Sequence, residues 1–471
     1  MNTDRLSEIT ATEALALFKS RELSPVELMN HIIDQSSHTE PLVNAFCDQY
    51  FENALTQACQ AEKRYLSDPD APSMLDGIPI AVKDDTSING KRTTTGSMLN
   101  RNHIDQHTNP SIERLTDAGA IIHARTTCPE FCWAWVCYSK LYGVTRNPWN
   151  TDYSCGGSSG GSAASLAAGS TGLATGTDSA GSIRQPAAMC GVVGFKPPFG
   201  RNPQDAASSF DVYNHIGPMA RSVADCALMQ NVMSGYHSLD HTTLPQKLIL
   251  PGQHESLQGL KIAWSMNLDH YPVSDDVHYQ TLQTIDALKD AGAFLEEIRT
   301  PWADEAVELA GYYGDHINSP AFEEAIANYP EDVCDYTPYF AEQNRSVTST
   351  MLQRSITASG KIWRDQFGPI LEQYDAFICP TTSVQEVPAE MKPWEQISVN
   401  GRLESIHDTV LTILFNMFSR CPVLAVPSGL TSTGMPTGIQ IVGRPYDDAI
   451  VFRIGSNLES IRPWKRTAPT L

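Results

Sequence analysis

The sequence predicts an α/β protein built on a mixed or parallel β-sheet, and three observations lead there. Short apolar runs that suit strands alternate with helical stretches along the whole chain. No internal repeat with a period of roughly 20–50 residues points to a solenoid or propeller. With 471 residues, 41% hydrophobic and 18% charged, the chain is ordinary globular material, long enough for a large buried core. At ~150 residues per domain that length would allow about three domains.

The first 65 or so residues read as helical. In SPVELMNHIID, Ser24 supplies a cap, Pro25 the first helical position and Glu27 the reciprocal acceptor of a capping box. Residues 76–83 (DGIPIAVK) and 118–125 (AGAIIHAR) are short apolar runs that suit buried strands. From 151 to 200 the composition shifts to Gly, Ser and Ala, which lets backbones approach one another or a ligand closely. Residues 260–264, 274–291 and 293–298 read as strand, helix, strand, and 302–373 as mainly helical. Apolar runs at 374–379, 423–426 and 438–442 precede a C-terminal helix.

Charge excludes some partners. Against 33 basic side chains stand 54 acidic ones, a formal net charge of −21, which repels phosphate backbones; neither nucleic acid nor an anionic membrane is expected. No apolar run approaches the ~20 residues of a membrane span, and MNTDRLSEIT has neither the basic nor the apolar region of a secretory signal. The 11 cysteines are scattered and odd in number, which argues for a reducing compartment. A cytoplasmic protein is expected. Cys128, Cys132 and Cys137 cluster, but their spacing fits no zinc pattern and no His pair completes the ligands, so no metal is expected.

Two serines compete as a nucleophile. Gly156 to Gly160 (GGSSG) fits the G-x-S-x-G elbow and would nominate Ser158, yet an elbow should follow a strand directly, and the preceding RNPWNTDYS is turn-like. Residues 178–182 (DSAGS) offer instead a run of small residues whose N–H groups could converge on an oxyanion. IRQPAAMCG can be helical from Ile183, which would put Ser182 at a helix N-terminus, with Asp178 and Arg184 flanking it as a brace. None of the 13 histidines lies within thirty residues of Ser182. Lys83, at the end of an apolar run, is a possible base if desolvation keeps it neutral.

These residues carry a resemblance. Lys83 in GIPIAVKD, NPWN at 147–150, GGSSGGSAA at 156–164, GTDSAGSIRQPAAMCGVVGFKP at 176–197, YDAFICPTTS at 374–383 and PSGLTSTGMPTGIQIVGR at 427–444 resemble the amidase signature family. The resemblance spans most of the chain and is weakest over 236–373. It implies a single amidase domain: a helical region at 1–65, a catalytic core at 66–235 and 374–471, and a variable, largely helical segment at 236–373. The implied fold is a large mixed β-sheet flanked by helices on both faces.

The resemblance further implies a Ser–cis-Ser–Lys triad. Ser182 attacks a carboxamide and carries the acyl group, Ser158 follows a cis bond after Gly157 and relays protons, and an uncharged Lys83 is the base. The N–H groups of Ser179, Ala180, Gly181 and Ser182 would form the oxyanion hole, supported by Asp178, Arg184 and Ser159. Many relatives have glycine at the place of Ala180, whose methyl tightens the hole. No cofactor is implied, since the serine forms the covalent intermediate itself. The expected partner is a small-molecule amide, with a homodimer left open.

The family also contains the glutamine-hydrolysing component of tRNA-dependent amidotransferases, which releases ammonia from glutamine; the net charge of −21 counts mildly against it. A non-catalytic binding protein on this fold is the third reading, disfavoured because Lys83, Ser158 and Ser182 are all retained. For specificity, CPEFCWAWVCY at 128–138 concentrates aromatics in a chain only 8% aromatic. The resemblance places this segment beside the acyl pocket, nominating Phe131, Cys132, Trp133 and Tyr138. Alternation of Phe131, Trp133 and Trp135 suits one face of an extended segment, with a purely core role as the competing explanation.

Overall fold

The computed structural model describes residues 3–70, 72–205 and 208–468. Its centre is an eleven-stranded mixed sheet. In spatial order the strands are Phe46–Gln49, Ile121–Thr126, Pro79–Lys83, Leu173–Asp178, His215–Ala220, Val193–Lys196, Val423–Leu430, Pro436–Gly443, Ala376–Pro380, Lys261–Trp264 and Phe294–Glu297. Two parallel groups, 79–83 with its neighbours 121–126 and 173–178, and 261–264 with 294–297 and 376–380, flank an antiparallel middle. Two strands of the sheet therefore come from within 236–373.

Side-chain alternation sorts the strands onto two layers. Ile80, Val82, Ile378, Leu424 and Ile439 join one core with the helices Ala11–Ser20, Val223–Met233, Asp275–Asp290 and Asp448–Ile461. Residues one position along, Ala81, Ala174 and Ala425, pack on the other face against Gly160–Ala167 and Arg184–Cys190. There Phe377 and Cys379 meet Ala303–Asn328 and the rings of Phe367 and Phe415. Every residue of Gly160–Ala167 (GGSAASLA) is buried; a helix of glycine, alanine and serine is thin enough to lie directly on the alanines of the sheet.

Local signals acted as expected where they were strong. Ser24 Oγ accepts from the N–H groups of Val26 and Glu27, Glu27 Oε2 accepts from the Ser24 N–H, and Pro25 opens the helix Pro25–Val43. Removing such a cap costs ~0.5–2 kcal/mol. Strands at 46–49, 173–178, 193–196 and 215–220 lie outside the runs read as strands. Leu173–Asp178 (LATGTD) is built of small residues and threonine and is almost wholly buried, so neither an apolar run nor an alternating pattern marks it.

Candidate active site

Strands Pro79–Lys83 and Leu173–Asp178 run parallel, with Ile80 beside Leu173 and Ala81 beside Ala174. Their C-terminal ends consequently leave the sheet together, which brings Lys83 to Thr177. The Lys83 side chain is fully buried, and its Nζ donates to Ser158 Oγ at 2.8 Å and to Thr177 Oγ1 at 2.7 Å. Asp85 Oδ2 lies 3.0 Å from the same nitrogen and accepts from Thr177 Oγ1 at 2.5 Å. Thr177 and Asp85 were not singled out from the sequence. The parallel register makes Thr177 a partner of Lys83, and Asp85 follows Lys83 two residues along the chain.

Burial, on which the expectation of an uncharged Lys83 rested, is opposed here by a neighbouring charge. Desolvation does disfavour the ammonium, but the Asp85 carboxylate outweighs it, and the proton affinity of Lys83 is raised above the ordinary lysine value. Asp85 is correspondingly depressed: burial opposes its charge, while Lys83 and the Thr177 hydroxyl favour it. The short contact thus favours the charged form of both partners.

Ser158 follows a cis Gly157–Ser158 bond and is 1% exposed. Gly157 is obligatory for steric reasons, because a Cβ there would lie 2.3 Å from the Ala134 carbonyl oxygen. Its N–H donates to Gln185 Oε1 at 2.9 Å, and Gln185 Nε2 donates to the Trp135 carbonyl at 3.0 Å, tying the serine loop to the aromatic loop. Ser159 Oγ donates to the Thr177 carbonyl, and its N–H donates to the Ser182 carbonyl at 3.1 Å. Both serine loops are thus anchored to each other through backbone. Among the described residues no hydrogen bond joins Ser158 Oγ to Ser182 Oγ. Ser182 is the more exposed of the two and lines the same cavity.

The loop carrying Ser182 is braced by Asp178 and Arg184, both fully buried. Arg184 donates Nε to Asp178 Oδ2 and Nη2 to Asp178 Oδ1, each at 2.9 Å, and its remaining donors reach the Thr412 carbonyl, Gln440 Oε1 and Asn416 Oδ1. Asp178 Oδ1 also accepts from the Gly181 N–H at 2.8 Å. Of the four residues expected to supply amides, Gly181 thus donates its N–H to Asp178, while Ser179, Ala180 and Ser182 line the cavity. Gly181 sits at φ 131°, and a Cβ would fall 2.0 Å from Thr412 Oγ1. The helix begins at Arg184 with Ile183 as its cap, so Ser182 precedes the cap rather than occupying it.

The cavity measures about 620 Å³. Phe131, Cys132, Trp133 and Trp135 line it, and Tyr138 does not; Tyr138 instead meets Tyr336 edge-on. The extended-segment expectation is also corrected. Glu130–Cys132 forms a tight helical turn in which Phe131 and Cys132 have φ of 54° and 58°, so residues on both supposed faces reach the cavity. Trp133 packs edge-on against Phe322 of the helix Ala303–Asn328, which forms the opposite wall. His407, unmarked in sequence, accepts from Trp135 Nε1 at 2.8 Å, and burial lowers its pKa to about 4, leaving it neutral. Five aspartates line the cavity, with neither lysine nor arginine among the described lining residues. A second concavity of about 750 Å³ lies where the chain ends meet, and among the described residues no hydrogen bond joins its Lys465 to a serine.

Residues 27–452 match the family model described as Amidase. The chain is 30% identical over 475 residues to an acylamidase of Rhodococcus erythropolis, covering 100% of this chain and 98% of that protein. It is 31% identical over 494 residues to the A-type component of the glutamyl-tRNA(Gln) amidotransferase of Chloroflexus aggregans, covering 99% of each. A solved bacterial aryl acylamidase of the amidase signature family superposes with a TM-score of 0.89 at 25% identity, covering 97% of both chains.

Proposed function

Because the chain belongs to the amidase family, we propose that it hydrolyses a carboxamide C–N bond through an acyl-enzyme on Ser182. The observation that carries this reading is the 2.8 Å hydrogen bond from Lys83 Nζ to Ser158 Oγ, made at the wall of the cavity that Ser182 also lines.

In this mechanism Ser182 Oγ attacks the carbonyl carbon as its proton passes to Ser158 and the Ser158 proton passes to deprotonated Lys83. The oxyanion accepts from cavity-lining backbone amides, which act strongly where water is excluded. Collapse expels the amine, which takes its proton back through Ser158, and water cleaves the ester by the same relay. The missing Ser158–Ser182 link forms once substrate fills the cavity, since catalytic hydrogen bonds commonly tighten only in the complex.

The aromatic walls favour an apolar or aromatic acyl group. Glutamine hydrolysis in the manner of the amidotransferase component is the competing reading, and the relative from Chloroflexus supports it by identity alone. The cavity offers aspartates for a glutamine α-ammonium but, among the described lining residues, neither lysine nor arginine for its α-carboxylate, and an unpaired buried charge is disfavoured. Compartment and oligomeric state, with a soluble cytoplasmic enzyme expected, belong to the same reading; among the described residues no helix is long and apolar enough to cross a membrane. The deciding experiment is hydrolysis of aliphatic, aromatic, anilide and amino-acid amides, read by release of ammonia or amine. Activity confined to glutamine would replace the reading with its competitor.

A further inference from the structure

The base of the proposed relay is not alone. Lys83 Nζ touches Ser158 Oγ, Thr177 Oγ1 and Asp85 Oδ2 within 3.0 Å, and the Asp85 carboxylate is itself fixed from other directions. Its Oδ2 accepts from Thr177 Oγ1 at 2.5 Å and from Cys132 Sγ at 3.3 Å, and its Oδ1 from Thr86 Oγ1 at 2.9 Å. Asp85 also lines the cavity, with its side chain 11% exposed. The carboxylate therefore reaches both the cavity and the buried lysine, and three side-chain donors hold it in place.

Resting on the amidase reading, we infer that Asp85 is a positioning residue that clamps the Lys83 ammonium toward Ser158 and thereby sets the pH at which the relay becomes competent. An ammonium has no acceptor site, so the first proton transfer waits for Lys83 to lose a proton. A carboxylate at 3.0 Å opposes that loss, while burial of the lysine favours it. The other titratable groups facing the pair are the thiols of Cys132 and Cys128, from the loop following strand Ile121–Thr126. A hydrogen bond with the free Cys132 thiol and burial both push the Cys128 thiol up, toward its protonated form. Asp84, the sequence neighbour, is engaged elsewhere, by the Thr94 N–H and hydroxyl and by Arg125 at 3.7 Å. Among the described groups, Asp85 is the carboxylate in contact with Lys83.

The sign follows directly. Removing the Asp85 charge removes what raises the proton affinity of Lys83 and leaves the burial that lowers it. Activity should then switch on at lower pH.

The test is the pH profile of kcat/KM for one uncharged amide, measured for wild type, Asp85→Asn and Asp85→Glu. Wild type should rise with pH through an alkaline limb. Asp85→Asn should shift that limb down by at least about one pH unit and lose plateau activity, because the lysine is no longer aimed. Asp85→Glu, which keeps the charge, should keep the limb. An unmoved limb in a folded, active Asp85→Asn overturns the inference. Should Asp85→Asn not fold, the wild-type profile decides alone: a limb below about pH 7 would mean the carboxylate does not hold the proton on Lys83. Failure of the underlying reading looks different, since wild type would then hydrolyse no amide and Ser182 would resist acylating probes.

Discussion

Arg184 closes a two-toothed ion pair on Asp178, Nε to Oδ2 and Nη2 to Oδ1, both at 2.9 Å, with neither side chain reaching solvent. The same carboxylate receives the N–H of Gly181 and of Ile183, so the pair holds the two residues that flank Ser182. Arg184→Met leaves a buried charge without its partner and should cost ~3–5 kcal/mol of folding stability, checked by urea denaturation. A loss under about 1 kcal/mol would show that the loop is braced by other contacts.

Acid should expose the same pair. Burial would raise the Asp178 pKa, but Arg184 and its hydrogen bonds bring it well below the ordinary 3.8. A depressed folded-state pKa gives a contribution that is complete above the unfolded value and is lost as pH falls toward the folded one. The Asp178 contribution should therefore be flat above about pH 5 and decline below about pH 4. Comparing the stability of wild type with Asp178→Asn across that range checks it; a difference that stays constant to pH 2 contradicts it.

Ser182 should carry the acyl group. A serine-directed fluorophosphonate should modify the peptide containing Ser182, and Ser182→Ala should remove both labelling and amide hydrolysis. A label on Ser158 with Ser182 untouched would instead favour the elbow reading, despite the near-complete burial of Ser158.

Lys83→Ala should lower kcat/KM by ~10²–10⁴-fold, the usual worth of a general base, and flatten its rise with pH. Activity within a few-fold of wild type would send the search for a base elsewhere. His407, half-buried in the cavity wall and held neutral by desolvation, would then come first.

Trp133 lines the cavity and also packs on Phe322, so its substitution separates pocket from core. Trp133→Ala should change relative kcat/KM between bulky and small amides by ~1–3 kcal/mol while Ser182 still labels. If all amides decline equally and the melting temperature falls with them, the ring belongs to the core.

Much of this was legible in the chain. The capping box at Ser24, the strands ending at Lys83 and Thr126, and the strand–helix–strand over residues 261–297 announce themselves through short-range rules that their own residues satisfy. Of the residues that the spaced motifs named, Lys83 is hydrogen-bonded to Ser158, and Ser158 and Ser182 line one cavity. Asp178 and Arg184 also pair as their flanking positions suggested.

What the tertiary structure decided are quantities that depend on distance rather than order. The strand Leu173–Asp178 is hidden by its small residues, yet its parallel register beside Pro79–Lys83 is what brings Thr177 onto Lys83. Whether Lys83 is charged could not be read from its position at a strand end, because burial and Asp85 act in opposite directions. Only a 3.0 Å separation says which prevails. The left-handed turn at Phe131 and Cys132 likewise defeats strand alternation, and Tyr138 leaves the pocket while Trp135 joins it. Local sequence determines propensities and spacings through interactions a few residues long. Proton affinity and pocket shape come from groups far apart in the chain, and only packing brings these close enough for Coulomb and contact forces to act.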